Sequence, residues 1–172
     1  MEYFDLYTEE GHYLNKVALR GQSLKPGEYF LVVHVWIENS EGKFLIQRRA
    51  KKTDPIPHQW AVVSGIPNHQ EAPLEAAVRE TKEELGLSLS EDELEKRARI
   101  VTSHKGYNTI THVYHARKDV ALEQLSPDSE EVMDVQFASH ADILRMVEEK
   151  RFWNYAELLN FAEYFGLLKE RN

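Results

Sequence analysis

Three glutamates, Glu80, Glu83 and Glu84, stand three and four residues apart in the run Arg79-Glu80-Thr81-Lys82-Glu83-Glu84-Leu85. On a helix they share one flank, with Cβ atoms roughly 5 to 6 Å apart, where like charges repel. Near a helix C-terminus the backbone dipole disfavours each anion by about 0.3 kcal/mol more. A hard divalent cation relieves both costs, since Mg²⁺ takes one or two carboxylates together with waters and substrate phosphates. The plain alternative is a solvated face screened by Arg79 and Lys82, as for the acids at Glu9-Glu10, Glu91-Asp92-Glu93, Glu130-Glu131 and Glu148-Glu149. What separates this run from those is a longer pattern: Gly65, Glu71, Arg79, Glu80, Glu83, Glu84 and Gly86. Seven fixed residues at fixed spacings match by chance on the order of once in 10⁸ starting positions.

The elements that must position these side chains follow from periodicity. Between Ala72 and Leu85, Leu74, Ala77, Val78 and Leu85 recur at helical spacing, with Pro73 suited to the first turn and Gly86 to the stop. Tyr29 to Ile37 and Lys43 to Arg49 read as a β-hairpin around the turn residues Glu38 to Gly42. A second hairpin is predicted from Ile100 to His104 and Ile110 to Arg117, turning at Gly106-Tyr107-Asn108. Alternation predicts a strand over Val132 to Phe137. Helices are predicted from His140 to Glu149 and from Asn154, where Tyr155, Leu158, Leu159, Ala162 and Phe165 form an apolar stripe. Strands interleaved with helices imply an α/β fold with a mixed sheet flanked by helices.

The chain has 172 residues, 42% hydrophobic and 29% charged, as expected of one domain over residues 1–172. It contains no cysteine, which excludes disulfides, zinc–thiolate sites, iron–sulfur clusters and cysteine nucleophiles. The net charge of −8 opposes non-specific nucleic-acid binding, so an anionic substrate needs cations to hold it. No apolar stretch suits a membrane span and no secretory leader is evident, so a cytoplasmic location is expected. Glu2 to Arg20 reads as an extra strand pair, open either to pairing in a homodimer or to packing on its own core.

The segment GIPNHQEAPLEAAVRETKEELGL, Gly65 to Leu87, resembles the box of the Nudix hydrolases. The resemblance implies a Nudix-type α/β/α sandwich with its core at about 29–137, an N-terminal β extension and C-terminal helices over 140–168. It implies hydrolysis of a phosphoanhydride in a nucleoside diphosphate derivative or other small diphosphate compound, with Mg²⁺ or Mn²⁺. By the same likeness, Glu80, Glu83 and Glu84 would ligate metal with Ser64, Glu83 and Glu84 would serve catalysis, Arg79 would orient the glutamates, and Glu71 would brace the loop and helix. Thr81 replaces an aliphatic residue and needs a hydroxyl partner. Ser64 replaces a common glycine and would be strained at positive φ. Asn68 and Gln70 stand where an acid and a glycine are usual.

Beyond the box, Phe44 to Arg49 followed by Pro57-His58-Gln59-Trp60 is similar to the subgroup containing isopentenyl-diphosphate isomerase, with His58 in place of a glycine. That isomerase chemistry uses an essential cysteine, which disfavours it here; a non-catalytic nucleotide-ligand sensor is a further alternative. Arg48, Arg49 and Trp60 are candidate substrate contacts, with Lys51 and Lys52 in the same basic cluster; alternation puts the two arginines on opposite faces. Trp60 is expected in the core, and His34 is expected to be interior and hydrogen-bonded. Asp128, Glu130 and Glu131 are candidates for the base that deprotonates water.

Overall fold

The computed structural model describes residues 2–50, 57–153 and 161–168. Lys51, Lys52, Tyr155, Leu158 and Leu159 therefore lie outside the described residues. The strands are β1 (Tyr3–Tyr7), β2 (Tyr13–Leu19), β3 (Phe30–Glu38), β4 (Phe44–Arg49), β5 (Trp60–Ala61), β6 (Val63–Gly65), β7 (Glu95–His104), β8 (Tyr107–Arg117) and β9 (Val132–Ala138). The helices are α1 (Pro73–Leu85), α2 (His140–Glu148) and α3 (Phe161–Gly166).

The main sheet runs β5-β4-β3-β8-β7, with β6 on β3 and β9 on β4, and its central β3/β8 pair is parallel. Both faces of β3 are buried, as expected for a central parallel pair. Val33, Val35 and Ile37 pack with Ala76, Ala77 and Leu85 of α1, whereas Trp36 packs with Ile143 of α2 and Tyr164 and Phe165 of α3. The sheet is thus the middle layer of a helix–sheet–helix sandwich.

The two predicted hairpins differ in detail from expectation. β3 and β4 pair only at Glu38 and Phe44; beyond that they separate, and β6 takes the edge of β3 at Val33 to Val35. That insertion brings the start of the glutamate-bearing segment beside the centre of the sheet. The β7–β8 turn is Lys105-Gly106, both at positive φ, while Tyr107 and Asn108 are paired strand residues. Two left-handed residues give a two-residue connection the twist that flanking strands need.

The N-terminal hairpin packs on its own chain, where Phe4, Leu6 and Ala18 meet Leu24 and Phe30. His34 is buried and Tyr164 ties it to Trp36: the Trp36 indole N–H donates to Tyr164 Oη at 2.8 Å, and His34 Nδ1 lies 2.9 Å from the same oxygen. Burial first, and then the charge of Arg49, push the His34 imidazole down to about 3. The neutral ring then accepts the Tyr164 proton. Among the described residues no helix is long and apolar enough to cross a membrane.

Candidate functional site

Helix α1 is bounded as its sequence requires. Pro73 occupies the first turn, and Gly86 ends the helix at φ 68° with its N–H on the Lys82 carbonyl. A side chain at Gly86 would also strike Ser126 at 2.8 Å. Thr81 is fully buried and donates its hydroxyl to the Ala77 carbonyl at 2.8 Å, which satisfies the polar group that replaces an aliphatic residue.

Of the three clustered glutamates, two turn inward. Glu84 is 5% exposed and accepts a 2.5 Å hydrogen bond from Gln47 Nε2 on β4. Glu80 lies so close over Gly65 that a Cβ there would sit 2.1 Å from its Cδ, which explains why position 65 is glycine. Burial drives both carboxyls upward, Glu80 to about 7 and Glu84 to about 8; the charges of Glu83 and Glu131 add to it at Glu80, and those of Glu80 and Glu131 at Glu84. Glu83 points outward, its side chain 58% exposed and 2.9 Å from Arg79 Nη1.

Arg79 organises the flank. Its Nε and Nη2 bind the two Glu71 oxygens at 2.8 Å each, and Nη1 reaches Glu80 at 2.8 Å. This paired geometry is the strong form of the ion pair. It holds the Glu71 carboxyl below its ordinary range and raises the Arg79 guanidinium further. Glu71 also accepts from the Asn68 N–H at 2.7 Å, closing the loop ahead of the helix.

Ser64 lies in β6, paired with His34, and is absent from the residues at positive φ, so no strain arises there. Two other positions where the resemblance expects glycine are left-handed: Gln70, in the box, at φ 55°, and His58, in the motif similar to the isomerase subgroup, at φ 67°. In both, the backbone keeps the conformation that glycine would supply.

Arg48 and Arg49 diverge as alternation requires. Arg48 Nε donates to the His58 carbonyl at 3.1 Å and lines a shallow pocket with Trp60, Lys150 and Arg151, although Trp60 itself is a core residue, 8% exposed. Arg49 stacks 5.1 Å over the Trp153 ring and is near enough to Glu84 to favour its charged form. The acidic loop of Asp128, Glu130 and Glu131 docks on the end of α1 through Ser126 N–H to the Leu85 carbonyl and Asp128 N–H to the Glu84 carbonyl. Of its three acids only Glu131 is half-buried, and its charge is felt by Glu80 and Glu84.

Two contributors were not assigned a role from the sequence. Gln47 lies in the motif similar to the isomerase subgroup, but its part in the site shows only when β4 is placed beside α1. Asp5 sits in the N-terminal hairpin, buried, and accepts from the Gln70 N–H at 2.9 Å with His69 Nδ1 also at 2.9 Å. It anchors the loop that carries Glu71 from 66 residues away in sequence.

Among the described residues no three acids or histidines stand close enough together to form a ready-made metal cage. The donors nonetheless fit a magnesium-type ion, which needs only one or two carboxylates and completes its shell with water and phosphate. Two hard oxygen donors, Glu84 buried and Glu80 half-buried, turn inward at an electrostatic cost that a divalent cation would remove.

A NUDIX domain model matches residues 28–159. The chain belongs to the Nudix family. Nudix hydrolase lin0387 of Listeria innocua is 38% identical over 140 residues, 81% of this chain and 80% of the relative. An isopentenyl-diphosphate Delta-isomerase of Shigella flexneri is 34% identical over 119 residues, 66% of this chain and 63% of that protein. The crystal structure of DR0079 from Deinococcus radiodurans superposes with a TM-score of 0.70 at 22% identity, covering 88% of this chain and 91% of that one. A bifunctional NMN adenylyltransferase/ADP ribose pyrophosphatase from Francisella tularensis, complexed with AMP and a Mn ion, gives 0.62 at 21% identity, covering 85% and 43%. The Nudix domain of Shewanella oneidensis NrtR, complexed with ADP ribose, gives 0.61 at 17% identity, covering 80% and 88%. The mixed sheet between helices is thus a Nudix fold, and family and relatives make the chain a Nudix pyrophosphohydrolase.

Proposed function

We propose that this Nudix protein hydrolyses a phosphoanhydride bond in a nucleoside diphosphate derivative, using Mg²⁺ or Mn²⁺ held by Glu80 and Glu84, with Glu83 and the Ser64 backbone at its margin. The observation that carries this is the inward-turned Glu80–Glu84 pair, Glu80 half-buried and packed on Gly65, Glu84 buried and hydrogen-bonded by Gln47. When bound, the cation supplies charge neutralisation for the diphosphate and acidifies the attacking water. Arg49, beside Glu84 and fixed over Trp153, holds a phosphate oxygen as the substrate enters. Arg79 and Glu71 keep Glu80 aimed inward through their paired hydrogen bonds. The Glu131 carboxylate, outside the helix but within the field of both inward-turned acids, takes the proton from the attacking water. The bound AMP and ADP ribose of the two structural neighbours support a nucleotide-linked diphosphate as the substrate class.

An isomerase assignment is weaker despite the isomerase relatives, because the chain has no cysteine to serve the alkene protonation that the resemblance implies. The test is metal-dependent product release across nucleoside diphosphate sugars, dinucleoside polyphosphates and prenyl diphosphates. Glu84→Gln is expected to lower kcat by about 10²-fold or more. An unchanged rate in Glu84→Gln would overturn the metal assignment, and proton exchange into isopentenyl diphosphate without hydrolysis would overturn the reaction.

A further inference from the structure

An open groove of about 660 Å³ lies on the α1 side of the sheet, between the N-terminal hairpin, the loop before α1 and the β7–β8 pair. Its size is that of a small-molecule site, and none of Gln47, Arg49, Glu80, Glu83 or Glu84 lines it. Lys96, Arg99 and His112 form one wall, and Tyr7 and Tyr13, with ring centroids 5.8 Å apart, form another.

The cationic wall exists because of a break in register. In a regular strand, residues 96 and 99 point to opposite faces. Here Lys96 pairs with Tyr114, but Ala98 pairs with Val113 and Arg99 with His112, so Arg97 is an extra residue in β7. The resulting bulge turns Lys96 and Arg99 to the face that also carries His112. Two cations are thereby brought together although they repel, and each lowers the His112 imidazole further after burial has done so.

The positive charge on this wall is only partly answered. Lys96 has no ion pair among the described residues, and Arg99 donates through Nη2 to the Glu9 backbone carbonyl, an uncharged partner. His112 stands beside them, half-buried, with its Nδ1 sealed from solvent. Of the acids at the rim, Glu71 is already taken up by Arg79, and Glu10, fully exposed on the hairpin turn, feels the charge of Arg99 without an ion pair to it. An anion with several acceptor oxygens would complement Lys96 and Arg99.

We propose that this groove is a second ligand site, taking a small phosphate-bearing anion whose phosphate lies among Lys96, Arg99 and His112. Inorganic phosphate and a phosphomonoester share that chemistry; the tyrosine wall gives an aromatic monoester further apolar contact. Gln70 and Glu71 border the same groove, so an occupant would lean on the loop that positions Arg79.

The experiment is an NMR titration of the histidine side chains of the full chain in metal-free buffer, with inorganic phosphate and, separately, adenosine 5′-monophosphate. The His112 resonance is assigned by its loss in His112→Gln. Either probe is expected to raise the His112 pKa by about one unit or more, and Lys96→Ala/Arg99→Ala should weaken that response at least about tenfold in concentration. Both replaced side chains are exposed, so the variant folds. Glu84→Gln should leave the response intact, which separates this site from the proposed hydrolytic one. A response to adenosine 5′-monophosphate alone supports the site with the tyrosine wall as part of it, and equal responses support a plain phosphate site. No response to either probe at about 10 mM, or an undiminished response in the double variant, overturns the proposal.

Discussion

Gly65 shows how much a single missing Cβ can decide. The Glu80 carboxylate occupies the space where that atom would stand, and the obstructed group is the free end of a side chain rather than backbone. Gly65→Ala is therefore expected to swing Glu80 away at little cost to the fold: kcat/KM should fall by about 10²-fold while Tm moves by no more than about 4 °C. A matching collapse of Tm in calorimetry would mean that the glycine serves the fold instead. Gln70 is the reverse case, a side chain where φ is 55°. Gln70→Gly keeps the N–H that Asp5 accepts and removes the left-handed strain, so denaturant unfolding should show a gain of about 0.5 to 1 kcal/mol. At this scale the box residues were legible because their spacing is their signal. Gln47 and Asp5 were not, since each gains its role only when a distant strand is brought alongside.

The element that decides whether the site is rigid is the loop before α1, and it is held from outside the Nudix box. Asp5 is buried in β1 and accepts from both His69 and the Gln70 N–H, so the N-terminal hairpin acts as a clamp on the segment that presents Glu71 to Arg79. Asp5→Ala leaves those donors facing an empty position. We expect a stability loss of about 2 to 3 kcal/mol, faster hydrogen exchange at the Gln70 amide, and a several-fold fall in kcat as Glu71 loses its place. Unchanged exchange at Gln70 would show that the hairpin only shields the core. Helix α1 could be bounded to within a residue from Pro73 and Gly86, because both are backbone devices written in single letters. The β3–β4 hairpin misled in part, since local turn chemistry says nothing of β6 entering between its arms. The turn at Lys105-Gly106 lay one residue earlier than expected, because a lysine in the left-handed region has no distinctive signature of its own.

Across the whole molecule, two kinds of buried or half-buried ionisable group oppose each other in pH. His34 and His112, held down to about 3 and about 4 chiefly by burial, stay neutral in the folded chain while the unfolded chain protonates them below its ordinary value of 6.5. The unfolded state then binds more protons, so stability falls as pH drops below that point. Glu80 and Glu84, raised to about 7 and about 8 chiefly by burial, keep their protons in the fold while the unfolded chain releases them above 4.5. The folded state then binds more protons, so stability falls as pH rises from 4.5 toward 8. The metal-free protein should therefore be most stable between about pH 4.5 and 6.5 and decline on both sides. At the proposed site a divalent cation should change only the alkaline limb, because it would bind the ionised glutamates of the folded state and leave the histidines untouched. Chemical denaturation across pH, with and without Mg²⁺ or Mn²⁺, separates the two limbs. Recovery of stability above pH 7 on adding metal, lost in Glu84→Gln, is the expected result; a metal effect equal at both ends of the range would place the ion elsewhere than on this pair.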